Sequence, residues 1–168
     1  MLMVPVFVFF YMTQLIAEPW NRYIAFVIFA VASYTDHLDG HLARTRNLVT
    51  NFGKFMDPLA DKLLVISALI CFVEKQEIAG WIVIIIVARE FIISGFRLIA
   101  AAKGIVIAAG MLGKIKTVVQ MIMVMMIILG WQFVWYQVIV QIMIYASMVL
   151  AVVSVVEYIY QNIHVLSE

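Results

Sequence analysis

Apolar runs, each close to the length a helix needs to cross a bilayer, follow one another along this chain with only short polar breaks between them. A spanning helix takes roughly 20 apolar residues, because each residue rises only 1.5 Å through about 30 Å of hydrocarbon. Six runs are readable, at 1–17, 23–44, from near 55 to 73, 78–102, 115–135 and 137–160. They predict an all-α polytopic membrane protein of six helices, with residues 1–168 forming one domain. The soluble alternative fails on composition. Hydrophobic residues make up 66% and charged residues 12%, against about 25% charged in an ordinary soluble domain. A water-soluble globule of 168 residues cannot hide that much apolar surface. The net charge of +1 gives no electrostatic case for nucleic acid.

The polar breaks set the orientation. Glu18 to Arg22 form a turn with an interfacial tryptophan, residues 45–54 read as a ten-residue loop, Glu74 to Glu77 close the third span, and Lys103 to Lys114 read as a glycine-containing connection. Of the eleven basic residues, nine (Arg44, Arg46, Lys54, Lys62, Arg89, Arg97, Lys103, Lys114 and Lys116) fall on one side of a six-span alternation. Arg22 and Lys75 fall on the other. Cytoplasmic loops carry the excess of Lys and Arg, so the nine and both termini are expected in the cytoplasm. The apolar N-terminal run has no basic residue before it and reads as a span, not a removed signal peptide. Cys71, the single cysteine, reads as a small apolar side chain.

Four aspartates break the apolar pattern. Asp36 and Asp39 are three apart near the end of the second span, and Asp57 and Asp61 are four apart near the start of the third. On a helix either spacing puts both carboxylates on one face. The short intervening loop makes the two spans antiparallel neighbours, so the pairs can converge at the cytoplasmic end. One ionised Asp at the centre of a membrane helix costs roughly 2.5–3.5 kcal/mol. Arg44 and Lys62 offset only part of the charge of four, and divalent cations complete the balance. All-oxygen ligands favour hard ions such as Mg²⁺ or Mn²⁺. Gly40 and Ala43 leave a notch beside the carboxylates that suits a nucleobase or a second helix. Arg44 can grip phosphate oxygens with a fork of donors. Gly53 lets the loop backbone approach closely. A lone intramembrane Asp is often only a paired structural charge, whereas four at these spacings argue for a site. His37 and His41 read as polar residues at the mouth of the cavity.

The pattern Asp36-x-x-Asp39-Gly40-x-x-Ala43-Arg44, eight residues, Gly53-x-x-x-Asp57-x-x-x-Asp61 resembles the signature of the CDP-alcohol phosphotransferases. The resemblance implies six membrane helices, a homodimer and a divalent-metal site, with two ions. It makes Asp36, Asp39 and Asp57 metal ligands and Asp61 the general base, also touching a metal. It places Gly40 and Ala43 in the cytidine pocket and Arg44 on the pyrophosphate. Further stretches, Asn47–Leu64, Ala88–Ala102 and Gly113–Thr117, are similar to the branch that joins CDP-diacylglycerol to glycerol 3-phosphate and releases CMP. Members of the family usually carry a short amphipathic stretch before the first span, so the expectation is a chain lacking part of its N-terminus.

Glycerol 3-phosphate is a dianion and needs cations of its own. Arg89, Arg97, Lys114 and Lys116 lie on the aspartate side and are the candidates. Each could instead be a positive-inside anchor or a partner of Glu90. Two other classes compete. A cation transporter would also place carboxylates in the membrane, but Arg44 would repel its ion. A structural subunit leaves the four aspartates unexplained. Within the enzyme class, serine, inositol phosphate or phosphatidylglycerol could replace glycerol 3-phosphate as acceptor.

Overall fold

In the computed structural model, residues 3–13, 16–45, 51–102 and 110–162 are described, with the side chains of 36–45, 51–61 and 102 excepted. Among the described residues every regular element is a helix: α1 (Met3–Met12), α2 (Trp20–Thr45), α3 (Asn51–Glu74), α4 (Gly80–Ala102), α5 (Met111–Leu129) and α6 (Val134–Asn162). The chain separates into two units, one of residues 1–77 with 124–131 and one of residues 78–123 with 132–168.

In the first unit α1, α2 and α3 pack on one another. On α2 the buried Ala25, Phe29 and Ala32 recur at spacings of four and three, which is one helical face. On α3 the buried Leu64, Ala68 and Phe72 recur every four residues, again along one face. The small alanines let backbones approach, as membrane helix contacts require. Phe7 and Tyr11 of α1 fill the space above them. Phe7 lies 5.6 Å from the Phe29 ring and Tyr11 lies 5.5 Å from Phe72, centroid to centroid. Phe7 meets Phe29 while Tyr11 meets the earlier Arg22, so α1 and α2 run in opposite senses.

In the second unit α4 packs on α6. The buried residues of α6 are Ile144, Ser147, Ala151, Ser154 and Tyr158. Their spacing of three, four, three and four is a heptad seam with small residues at its centre. Arg89 meets Ser154 while Phe96 and Arg97 meet Tyr158, so α4 and α6 run in the same direction. Away from the seam α6 exposes Val138, Ile142, Val149, Val152 and Val156, an apolar surface suited to lipid.

Several expected boundaries move. Helix α1 has 10 residues, about 15 Å, where a span over 1–17 was expected. Helix α3 begins at Asn51, not near Phe55, so the expected loop over 45–54 shortens and Gly53 and Lys54 are helical. Polar residues and a glycine suggest a loop, but one glycine costs a helix only about 1 kcal/mol, which packing overrides. Pro58 is therefore the eighth residue of α3, beyond the first turn where its missing N–H would go unnoticed. Helix α5 begins at Met111, so Lys114 lies inside it rather than in a connection. Helices α5 and α6 are the two described helices both long and apolar enough to cross a membrane. Helices α2, α3 and α4 have the length, at 26, 24 and 23 residues, but carry internal charges.

Candidate active site

The signature residues lie on two packed helices of the first unit. Asp36, Asp39, Gly40, Ala43 and Arg44 are on the last three turns of α2, and Gly53, Asp57 and Asp61 are on the first three of α3. The backbone is helical through Gly40, so the spacings of three and four hold as helical spacings. One turn earlier, the Thr35 hydroxyl donates to the Val31 carbonyl at 2.8 Å, which satisfies that side chain within the helix. The expectation that the four carboxylates converge on a shared ion falls on side chains outside the described residues, as do the roles of Gly40, Ala43, Arg44 and Gly53. His37 and His41 lie there too. Gly53 was expected to act from a loop; it stands instead in the first turn of α3.

The four candidate acceptor cations divide into two kinds. Arg97 and Lys114 are exposed, and the Arg97 guanidinium lies 5.9 Å from the centroid of the Tyr158 ring, a cation–π contact. Arg89 and Lys116 are buried. Arg89 Nη1 donates to Glu90 Oε1 at 3.1 Å, and Lys116 Nζ donates to the same oxygen. Arg89 Nε donates to Ser154 Oγ at 3.1 Å. The Ser154 hydroxyl in turn donates to the Ala151 carbonyl at 3.0 Å, so its lone pairs are left to face Arg89. One carboxylate thus ties α4 to α5, and one serine ties α4 to α6. The pairing with Glu90 was one of the three readings open for these cations, beside acceptor binding and a positive-inside anchor. Ser154 carried no sign beyond being a serine in an apolar helix.

A second charged cluster, not anticipated, lies in the first unit. Arg22 Nη2 donates to Glu77 Oε1 at 2.5 Å, Nε to Glu18 Oε1 at 3.3 Å, and Nη1 to the Ile127 carbonyl at 3.3 Å. Tyr11 Oη donates to Glu77 Oε2 at 2.5 Å, and Lys75 Nζ lies 4.3 Å from the Tyr11 ring centroid. A cavity of about 460 Å³ borders this cluster, with Glu18 and Glu77 facing Arg22 and Lys75. Its formal charges cancel. Arg22 and Asp36 are fourteen residues apart on α2, or about 21 Å at 1.5 Å per residue, so the cavity and the aspartates are separate places.

Comparison with known proteins bears on the signature directly. A family model described as CDP-alcohol phosphatidyltransferase matches residues 1–153. A Bacillus subtilis protein named CDP-diacylglycerol–glycerol-3-phosphate 3-phosphatidyltransferase is 55% identical over 103 residues, 61% of this chain and 53% of that one. A Rickettsia bellii protein of the same name is 40% identical over 119 residues, 71% and 66% of the two chains. A probable phosphatidylglycerophosphate synthase of Mycobacterium tuberculosis is 41% identical over 108 residues, 64% and 51%. The matches span about half to two thirds of the length of these relatives. With a family model that runs through both units and contains every signature position, this chain belongs to the CDP-alcohol phosphatidyltransferase family.

Proposed function

We propose that this chain is an integral membrane enzyme that transfers the phosphatidyl group of CDP-diacylglycerol to glycerol 3-phosphate, giving phosphatidylglycerophosphate and CMP. The observation that carries it is the complete eight-residue signature at 36–61, on the helical backbone of two packed helices, in a chain whose relatives bear the name of that reaction. The six helices cross the bacterial cytoplasmic membrane as one domain, with the aspartates facing the cytoplasm. The opposite directions of α1 and α2, and the common direction of α4 and α6, support that path. So does the gathering of nine of eleven basic residues on one side. As in the rest of the family resemblance, a homodimer is the expected assembly.

The donor set fits a divalent metal. Four carboxylates at spacings of three and four, on adjacent helices, offer only oxygen, which suits Mg²⁺ or Mn²⁺. Asp36, Asp39, Asp57 and Asp61 would hold two such ions. When bound, they supply charge neutralisation to the pyrophosphate. Gly40 and Ala43 leave room for the cytosine ring. Arg44 binds pyrophosphate oxygens and stabilises the transferring group electrostatically. Asp61 takes the proton from the 1-hydroxyl of glycerol 3-phosphate. Arg89, Arg97, Lys114 and Lys116 attract and hold the acceptor's own phosphate. The acyl chains remain in lipid.

The test is CMP release by purified protein given CDP-diacylglycerol, a panel of alcohols, and Mg²⁺ or Mn²⁺. Release should require glycerol 3-phosphate and stop on chelation. Asp61→Asn should keep nucleotide binding and lose turnover by roughly 10²–10⁴-fold, the usual contribution of a general base. Full turnover by Asp61→Asn removes the base assignment. Release with another alcohol alone, or metal flux into proteoliposomes without CMP, overturns the reading.

A further inference from the structure

Two of the three guanidinium nitrogens of Arg89 are committed, Nε to Ser154 and Nη1 to Glu90. Nη2 has no hydrogen-bond partner among the described residues, although Arg89 is only 8% exposed. The edge is not sealed from water, since the buried side-chain atoms without a partner among the described residues are Ser147 Oγ and Tyr158 Oη, so Nη2 remains an accessible donor. What Nη2 faces is Gly113, where an added Cβ would lie 3.3 Å from it. Gly113 stands in the first turn of α5 with no left-handed φ, so the backbone does not require glycine there. Alanine would serve the helix better. The absent side chain has a different consequence: it leaves the third edge of the guanidinium uncovered.

The two committed edges are held firmly. Ser154 spends its proton on the Ala151 carbonyl and can therefore only accept from Arg89. Glu90 is fixed in turn by Lys116, so Arg89 cannot swing its Nη1 edge away without breaking a pair shared by two cations. The result is a planar group clamped on two sides and open on the third, a geometry that presents N–H donors to an oxyanion.

We propose that Glu90, Ser154 and Gly113 are positioning residues for the acceptor's phosphate. Glu90 and Ser154 hold Arg89, and Gly113 keeps its Nη2 edge open to a phosphate oxygen of glycerol 3-phosphate. This rests on the acceptor reading above and goes past it by assigning work to three residues outside the set of cations.

The experiment uses the purified full chain with CDP-diacylglycerol and glycerol 3-phosphate, comparing wild type with Gly113→Ala and Ser154→Ala. Each variant should raise KM for glycerol 3-phosphate by about tenfold, as expected for weakening one hydrogen bond to a charged group. KM for CDP-diacylglycerol should not move. Melting temperature separates this from misfolding, since Gly113→Ala favours the helix. Unchanged KM for glycerol 3-phosphate in both variants, or an equal rise for both substrates, overturns the proposal while wild-type turnover leaves the acceptor reading standing. Wild-type protein that releases no CMP with glycerol 3-phosphate overturns both.

Discussion

Arg22 and Arg89 are the same residue type, buried to a similar degree, each bonded to a glutamate and each lying against a glycine. Their surroundings differ in one respect. All three nitrogens of Arg22 have acceptors: Glu18, Glu77 and the Ile127 carbonyl. Arg89 has acceptors for two. The glycines follow the same division. Gly130 has φ +57, and a Cβ there would collide with the Arg22 guanidinium, so the protein itself fills the space. Gly113 is conformationally ordinary, and its space lies beside an uncommitted nitrogen. A saturated cluster ties α1, α2, the α3–α4 turn and the end of α5 together. An incomplete one ties α4, α5 and α6 while leaving a donor to spare. Buried charge alone does not mark a site; Arg22 and Arg89 differ in whether a donor is left accessible to a ligand.

The sharpest way to break this contrast is at Glu77. Glu77→Ala strands Arg22 and Tyr11 and should cost about 3 kcal/mol, since it removes two charge-assisted hydrogen bonds of a partly buried cluster. Thermal unfolding in detergent measures it, and below the transition both KM values should match wild type. Should Glu77→Ala weaken glycerol 3-phosphate as Ser154→Ala does, the division between scaffold and site is lost. Next comes Gly130→Ala, which forces a side chain into a left-handed backbone and against Arg22, at about 1–3 kcal/mol. A neutral melting curve would mean that Arg22 does not fill that space. Ser154→Ala should have the smallest effect on stability, about 1–2 kcal/mol, because it removes the hydrogen bond accepted from Arg89 and one within its own helical turn. Its effect on acceptor KM should nonetheless exceed that of either variant in the first unit.

The existence and type of the long helices were legible from apolar run length. Their starts were not, at α3 and α5. Asn51 to Lys54 and Met111 to Lys114 adjoin stretches of loop-like composition, and helices extend through such residues when packing offsets a propensity cost near 1 kcal/mol for a glycine. The signature was fully legible because its meaning lies in spacing along a helix. The partners of Arg89 were half legible. Glu90 was an evident candidate as its neighbour in the chain, while Ser154 is sixty-five residues away and chemically plain. Nothing local to Tyr11, Arg22 or Glu77 announced their cluster, since each belongs to a different element.

By itself the sequence determined that this chain is helical, is strongly apolar, and carries two carboxylate pairs at helical spacing, because those properties depend on run length and on a period of 3.6 residues. Only the tertiary structure decided which charges are consumed by the scaffold. Hydrogen-bond saturation is a matter of distances between residues far apart in the chain, and no local pattern encodes whether the last N–H of an arginine finds an acceptor.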